Sequence, residues 1–208
     1  MIRISDILEV QDHIEGLRAV VFDMDDTLYG EKEYVKSGYQ KIGEEFPEIA
    51  NTAERLWAFF EGGKPAIDEL LKEEGMLDED TKQKCIHIYR HQMPNIHLYT
   101  GVREMLTKLR QKGLKLGLIT DGRPEGQRAK IQALGLEEMF DYIIVTDELG
   151  GTEYRKPNPK AFELMGEALG ITYAEMCYVG DNIRKDFIAP LQLGMKAIHF
   201  ANQDGLYA

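Results

Sequence analysis

Residues 19–29 read Ala19-Val20-Val21-Phe22-Asp23-Met24-Asp25-Asp26-Thr27-Leu28-Tyr29. Four apolar residues with no alternation, broken off by a cluster of acids, match a strand of a parallel sheet covered on both faces. Similar short runs recur at residues 115–119, Tyr142–Val145, residues 176–179 and Lys196–Phe200. Between them lie helical patterns at about residues 102–112, Pro124–Leu134, 159–169 and 183–193. Each is followed by a glycine (Gly113, Gly135, Gly170, Gly194), where a helix end wants a left-handed residue. Repeated βαβ units predict an α/β fold: a three-layer, Rossmann-like, doubly wound core around a parallel sheet.

One stretch interrupts the alternation. Residues 31–93 hold no strand pattern, only helical pattern punctuated by Pro47, Gly62, Gly63, Pro65 and Gly75. Roughly four helices fit there, too much chain for a crossover helix. The expected organisation is therefore a core of residues 1–29 and 96–208 with a small all-helical domain, residues 30–95, inserted after the first strand. Residues 5–15 are expected to add a helix before that strand.

The chain has 208 residues, 43% hydrophobic and 29% charged, as in an ordinary globular protein. No apolar run reaches the roughly 20 residues that span a bilayer, so no membrane partner is expected. The first residues mix acids into their apolar positions, unlike a signal peptide. Two cysteines, Cys85 and Cys177, far apart and outside any CxxC pair, suit a reducing cytoplasm better than a disulfide framework or a zinc site. A net charge of −11 speaks against nucleic acid as a partner and demands local cations if a substrate is itself anionic.

In open α/β sheets ligands bind beyond the carboxyl ends of the strands. There the first run leads into Asp23 and Asp25, whose carboxylates repel one another unless a cation or a shared proton intervenes. The second leads into Thr120-Asp121-Gly122, which could cap a helix or hold phosphate oxygens near its N-terminus. After the third comes Arg155-Lys156-Pro157-Asn158-Pro159, where two prolines stiffen the backbone around a lysine. The fourth leads into Gly180-Asp181-Asn182, with Asp186 beyond, expected one turn into the next helix. A third carboxylate at one sheet edge calls for a hard cation such as Mg²⁺.

This set resembles the haloacid dehalogenase superfamily of phosphohydrolases. Its four motifs stand in order as Asp23 through Leu28, Thr120, Lys156-Pro157, and Gly180-Asp181 through Asp186, and the helical insertion resembles the superfamily's C1-type cap. The resemblance implies a Mg²⁺-dependent phosphatase acting on a small phosphorylated metabolite. It makes Asp23 the nucleophile that forms an aspartyl-phosphate and Asp25 the acid and base. It makes Asp23, Asp181 and the backbone carbonyl of Asp25 the metal ligands, with Asp186 as a further metal-site carboxylate or a partner of Lys156. Thr120 and Lys156 would stabilise the transferring phosphoryl group, and backbone groups at Met24, Asp121 and Gly122 would complete its cradle. The family's dehalogenases lack an acid/base aspartate at the position of Asp25, so its presence favours phosphate esters. Asp121 departs from the asparagine common in relatives, and Ile183 from a common proline.

Tyr29 and Tyr34 are candidates for substrate recognition, although packing is the commoner fate of such residues, and His87 and His91 lack the pattern of a metalloprotease helix. A phosphomutase would use the same aspartyl-phosphate. A phospho-accepting receiver domain would carry its aspartate after a later strand and have no helical insertion. A non-catalytic binding protein would have little use for every charged motif residue. Oligomeric state is open.

Overall fold

The computed structural model describes residues 1–206. Six strands, β1 (Ile2–Ile4), β2 (Ala19–Phe22), β3 (Lys115–Thr120), β4 (Tyr142–Val145), β5 (Met176–Gly180) and β6 (Lys196–Phe200), form one sheet in the order β1-β6-β5-β2-β3-β4. Every pairing is parallel. The helices are α1 (Glu31–Glu45), α2 (Thr52–Glu61), α3 (Ala66–Glu73), α4 (Glu79–Arg90), α5 (Val102–Gln111), α6 (Pro124–Leu134), α7 (Lys160–Leu169) and α8 (Ile188–Leu193). The chain divides into two compact units: Met1–Glu31 with the chain from His97 onward, and Lys32–Ile96.

The first unit is the expected α/β core, with helices on both faces of the sheet. All four residues of β2 are fully buried, which is why its sequence does not alternate. On one face Val21, Ile119 and Tyr178 pack with Phe162 and Met165 of α7 and Ala189 of α8. Gly117 belongs to that layer for a steric reason. A β-carbon there would come within 3.0 Å of Met165 Cε and 3.2 Å of Val21 Cγ2.

The helix expected within residues 5–15 is a short 3₁₀ one, Ile7–Asp12, and it follows a strand, β1, that pairs with β6. Asp6 and Glu9 form a reciprocal capping box at its start. The helix expected at 183–193 begins only at Ile188. Pro190 explains this, because a helix running through it would lose the bond to the carbonyl of Asp186 and clash with that group. Instead Asn182 organises a turn, with its carbonyl accepting from the amides of Lys185 and Asp186. Asp186 therefore lies before the helix and not within it.

The second unit holds α1 to α4 packed around Val35, Ile42, Leu56, Leu70, Leu71 and Cys85. Trp57 and Phe60, 5.2 Å apart between ring centres, sit against this core. Among the described residues, no helix is long and apolar enough to cross a membrane.

Candidate active site

The strand order reverses around β2, whose neighbours β3 and β5 belong to opposite windings of the chain. Such a reversal opens a crevice at the carboxyl edge. Asp23 is the first residue past β2, and its N–H donates to Val179 O at 2.8 Å, continuing the pairing with β5. Thr120 ends β3, Asp181 follows β5, and Lys156 lies in the loop between β4 and α7. Asp23, Asp25, Asp121, Lys156 and Asp181 all border one cavity of about 370 Å³.

Lys156 organises the centre. Its side chain is fully buried, and Nζ forms ion pairs with Asp23 Oδ1 and, at 2.8 Å, with Asp186 Oδ1. It also donates to the Tyr178 hydroxyl at 2.9 Å. Burial alone would discharge this amine, but Asp186 and Asp23 outweigh it and hold the pKa well above the ordinary lysine value. The Lys156–Pro157 peptide is cis. Arg155 beside it is 38% exposed along its side chain and forks onto Asp147 through two bonds of 2.7 Å.

The carboxylates are crowded. Burial pushes Asp23 up to about 7 against the pull of Lys156, with Asp186 adding repulsion. Burial, then the charges of Asp23 and Asp186, push Asp181 up to about 8. One oxygen from each of Asp23, Asp181 and Asp186 lies within 4.8 Å of the others. Asp186 Oδ1 is buried and, despite its ion contact, accepts no directional hydrogen bond. Hard oxygen donors this close fit a divalent cation such as Mg²⁺, which would offset the repulsion. Each of the three side chains could supply an oxygen, and Asp186 also accepts through Oδ2 from the Asn182 N–H at 2.9 Å.

Asp25 sits in a different environment. Oδ1 accepts from the Tyr29 hydroxyl and from Lys130 Nζ at 2.7 Å, and Oδ2 accepts from Gln127 Nε2 at 2.8 Å. Burial would raise its pKa; the Lys130 charge and the hydrogen bonds from Lys130, Tyr29 and Gln127 bring it below the ordinary carboxylate value. Glu31, 3.8 Å from Lys130, is pushed up to about 7 by burial and by Asp25.

The cradle residues differ in accessibility. The Met24 side chain is buried, and its carbonyl accepts from the Thr27 and Leu28 amides, which closes the turn after Asp23. Gly122 has φ +141°, and a β-carbon there would lie 3.1 Å from the Gln127 side chain. Asp121 is not a bare charge beside the cavity. It accepts from Thr146 Oγ1 and the Lys156 N–H, each at 3.0 Å, and from Lys185 Nζ at 2.9 Å. Burial is outweighed by Lys156 and Lys185, so its carboxyl stays below the ordinary range.

Tyr29 is fully buried with its hydroxyl on Asp25, so its place is beside the carboxylate and not on a surface open to substrate. Tyr34 is 7% exposed and packs edge-on against Tyr89 within the helical unit. His87 and His91 stack on each other, and His91 Nδ1 lies 2.9 Å from the His87 carbonyl oxygen.

Gln127, Lys130, Tyr178 and Lys185 entered the site without having been singled out in the sequence. For two of them a signal existed. Gln127, Lys130, Ile131 and Leu134 occupy the spacing of one inward helix face, and all four are buried. Polar residues at two of those positions mark a face turned toward chemistry.

The sequence pattern of the haloacid dehalogenase-like hydrolases matches residues 20–200. Glyceraldehyde 3-phosphate phosphatase of Pyrococcus abyssi is 36% identical over 100 residues, 48% of this chain but only 41% of that protein's length. The protein of the same name from Methanopyrus kandleri is 28% identical over 198 residues, covering 88% of this chain and 83% of that one. Among solved structures, a HAD-superfamily hydrolase of subfamily IA, variant 1, from Geobacter sulfurreducens superposes with a TM-score of 0.65 at 19% identity, covering 88% of this chain and 87% of that chain. That last likeness is one of fold. With a family match running from within β2 to the end of β6 and enclosing the whole carboxylate–lysine cluster, the chain belongs to the haloacid dehalogenase-like hydrolases.

Proposed function

We propose that this hydrolase is a Mg²⁺-dependent phosphatase that cleaves a phosphate monoester of a small metabolite through an aspartyl-phosphate on Asp23. The observation that carries the reading is the buried contact of Lys156 with Asp23 and Asp186 at the mouth of β2. It fixes one oxygen of a carboxylate that borders the cavity, and it places a permanent positive charge where phosphoryl oxygens would gather.

Six acids and three basic residues border the cavity, so a phosphate monoester would be repelled unless a cation joined Lys156. Mg²⁺, held by Asp23 and Asp181 with the backbone carbonyl of Asp25, would supply that charge and shield the attacking oxygen. Asp23 attacks phosphorus in line with the leaving alcohol, and Thr120, Lys156 and the backbone at Met24, Asp121 and Gly122 hold the equatorial oxygens. Asp25 gives its proton to the leaving oxygen and then takes one from the water that opens the aspartyl-phosphate.

The similarity to the archaeal phosphatases makes glyceraldehyde 3-phosphate the first substrate to try. In this reading the helical unit, inserted directly after the Asp23–Tyr29 turn, sets the choice of leaving group, and the two buried free cysteines suit a reducing cytoplasm. A panel of phosphorylated metabolites, assayed for phosphate release with Mg²⁺ and with chelator, tests the proposal. Release that requires Mg²⁺ and disappears in Asp23→Asn is expected. Undiminished release from Asp23→Asn would refute the covalent route.

A further inference from the structure

We infer that Lys130 and Gln127 are positioning residues for Asp25, and that their loss slows the hydrolysis of the phosphorylated Asp23. The inference rests on the phosphatase reading above.

Both residues lie on α6, one turn apart and on its buried face. The Lys130 side chain is 5% exposed and pairs with Asp25 at 2.7 Å. A buried ion pair of this kind is weak support for a fold, because apolar residues of similar volume often do as well or better. Its place beside the reactive carboxylate is the better explanation for its presence.

The geometry fixes the carboxylate. Lys130, Tyr29 and Gln127 all donate to Asp25, at both of its oxygens. Donors at both oxygens hold the group in one orientation at the edge of the cavity. In the phosphatase reading, the carboxylate so placed takes the proton of the attacking water. In that step the water oxygen bonds to phosphorus, its proton passes to Asp25, and the bond from phosphorus to Asp23 breaks. Gln127 adds a link, since the same Nε2 also donates to Thr120 Oγ1. The hydroxyl that would hold a phosphoryl oxygen and the base that would activate water are thus held by one amide. A β-carbon at position 122 would lie 3.1 Å from the Gln127 side chain, so the glycine leaves the amide its room.

The test uses p-nitrophenyl phosphate with Mg²⁺, because its phenolate leaves without needing a proton and the first half-reaction is spared. Turnover is measured alongside the fraction of enzyme carrying a phosphoryl group, read by intact mass after acid quench. In Lys130→Met, kcat is expected to fall about 10²-fold, the scale of lost general-base assistance, and the phosphorylated fraction to rise severalfold. Gln127→Leu, which strands no buried charge, shows the same pattern more weakly, and Lys130→Arg recovers part of the rate. Thermal melts identify a variant that has merely unfolded, and Gln127→Leu then decides. Turnover within threefold of wild type in both variants, or slowed turnover without phosphoenzyme build-up, overturns the inference while leaving the phosphatase reading intact. A wild-type enzyme that never carries phosphate on Asp23 removes both.

Discussion

Gly180 stands so close to Asp186 that a β-carbon on it would overlap Oδ2 and lie 2.9 Å from Cγ. Asp186 in turn holds Lys156, which holds Asp23. The glycine that ends β5 is therefore the back wall of the proposed nucleophile's support.

Gly180→Ala should consequently damage chemistry more than stability. The added methyl must push Asp186 aside, and Lys156 would follow it by a fraction of an ångström. Displacements on that scale in a positioning network can cost about 10²-fold in rate. The expected outcome is a kcat reduced about 10²-fold with KM within a few-fold of wild type. Steady-state kinetics beside a chemical denaturation curve would check it, and a variant with full kcat would show that Asp186 is free to move.

Metal binding can be tested without any substrate. A ligand that binds only the folded state stabilises it by about 2.7 kcal/mol at one hundred times its Kd. Mg²⁺ should therefore raise the melting temperature of the wild-type protein, and the rise should shrink or vanish in Asp181→Asn. An equal rise in both proteins would move the ion away from Asp181.

The core and the charged motif positions were legible because each depends on local pattern. The strands Ala19–Phe22, Tyr142–Val145 and Lys196–Phe200 and the helix Pro124–Leu134 lie where apolar runs and punctuation placed them. What escaped was of two kinds. Ile2–Ile4 is a three-residue strand, too short to carry a period, and it exists only because β6 offers an open edge. Tyr178 and Lys185 meet Lys156 and Asp121 across more than 20 and 60 residues of chain, and no local pattern encodes such a meeting. The helix start at Ile188 is different, since Pro190 is itself a local signal and excludes a helix that bonds back to the carbonyl of Asp186.

Asp141 joins two strands from outside the site. Its carboxylate accepts from the Leu116 N–H at 2.8 Å and from Lys115 Nζ at 3.0 Å, tying the start of β3 to the approach to β4. Burial is outweighed by these partners, so its folded pKa lies below the ordinary value. Stability from such a group is present above the unfolded pKa and is lost as pH falls through the folded one. Asp141→Ala is thus expected to cost about 1–3 kcal/mol at pH 7, with the difference from wild type shrinking below about pH 4. Urea curves at pH 7 and pH 3 provide the comparison. A gap that widens on acidification would contradict this assignment.

Asp26, between the proposed acid/base Asp25 and Thr27, separates two effects that usually travel together. It is a left-handed residue, φ +53°, and 1% exposed. Its Oδ1 accepts from the Glu31 N–H at 2.8 Å, where α1 begins, and its Oδ2 accepts from the Leu206 N–H at 2.7 Å. Its carbonyl accepts from Asn202 Nδ2 at 2.8 Å. The left-handed backbone costs most L residues about 1–2 kcal/mol but is tolerated by asparagine and free for glycine. Losing the acceptors costs about 1–3 kcal/mol for each N–H left unsatisfied. Alanine suffers both losses, glycine only the second, and asparagine keeps one acceptor in a tolerated backbone. The expected order of stability is Asp26→Asn above Asp26→Gly above Asp26→Ala, with the alanine variant down by about 3 kcal/mol or more. Measured unfolding free energies that put glycine above asparagine would show that backbone strain governs this position, and not the clasp between residues 202–206 and the start of α1.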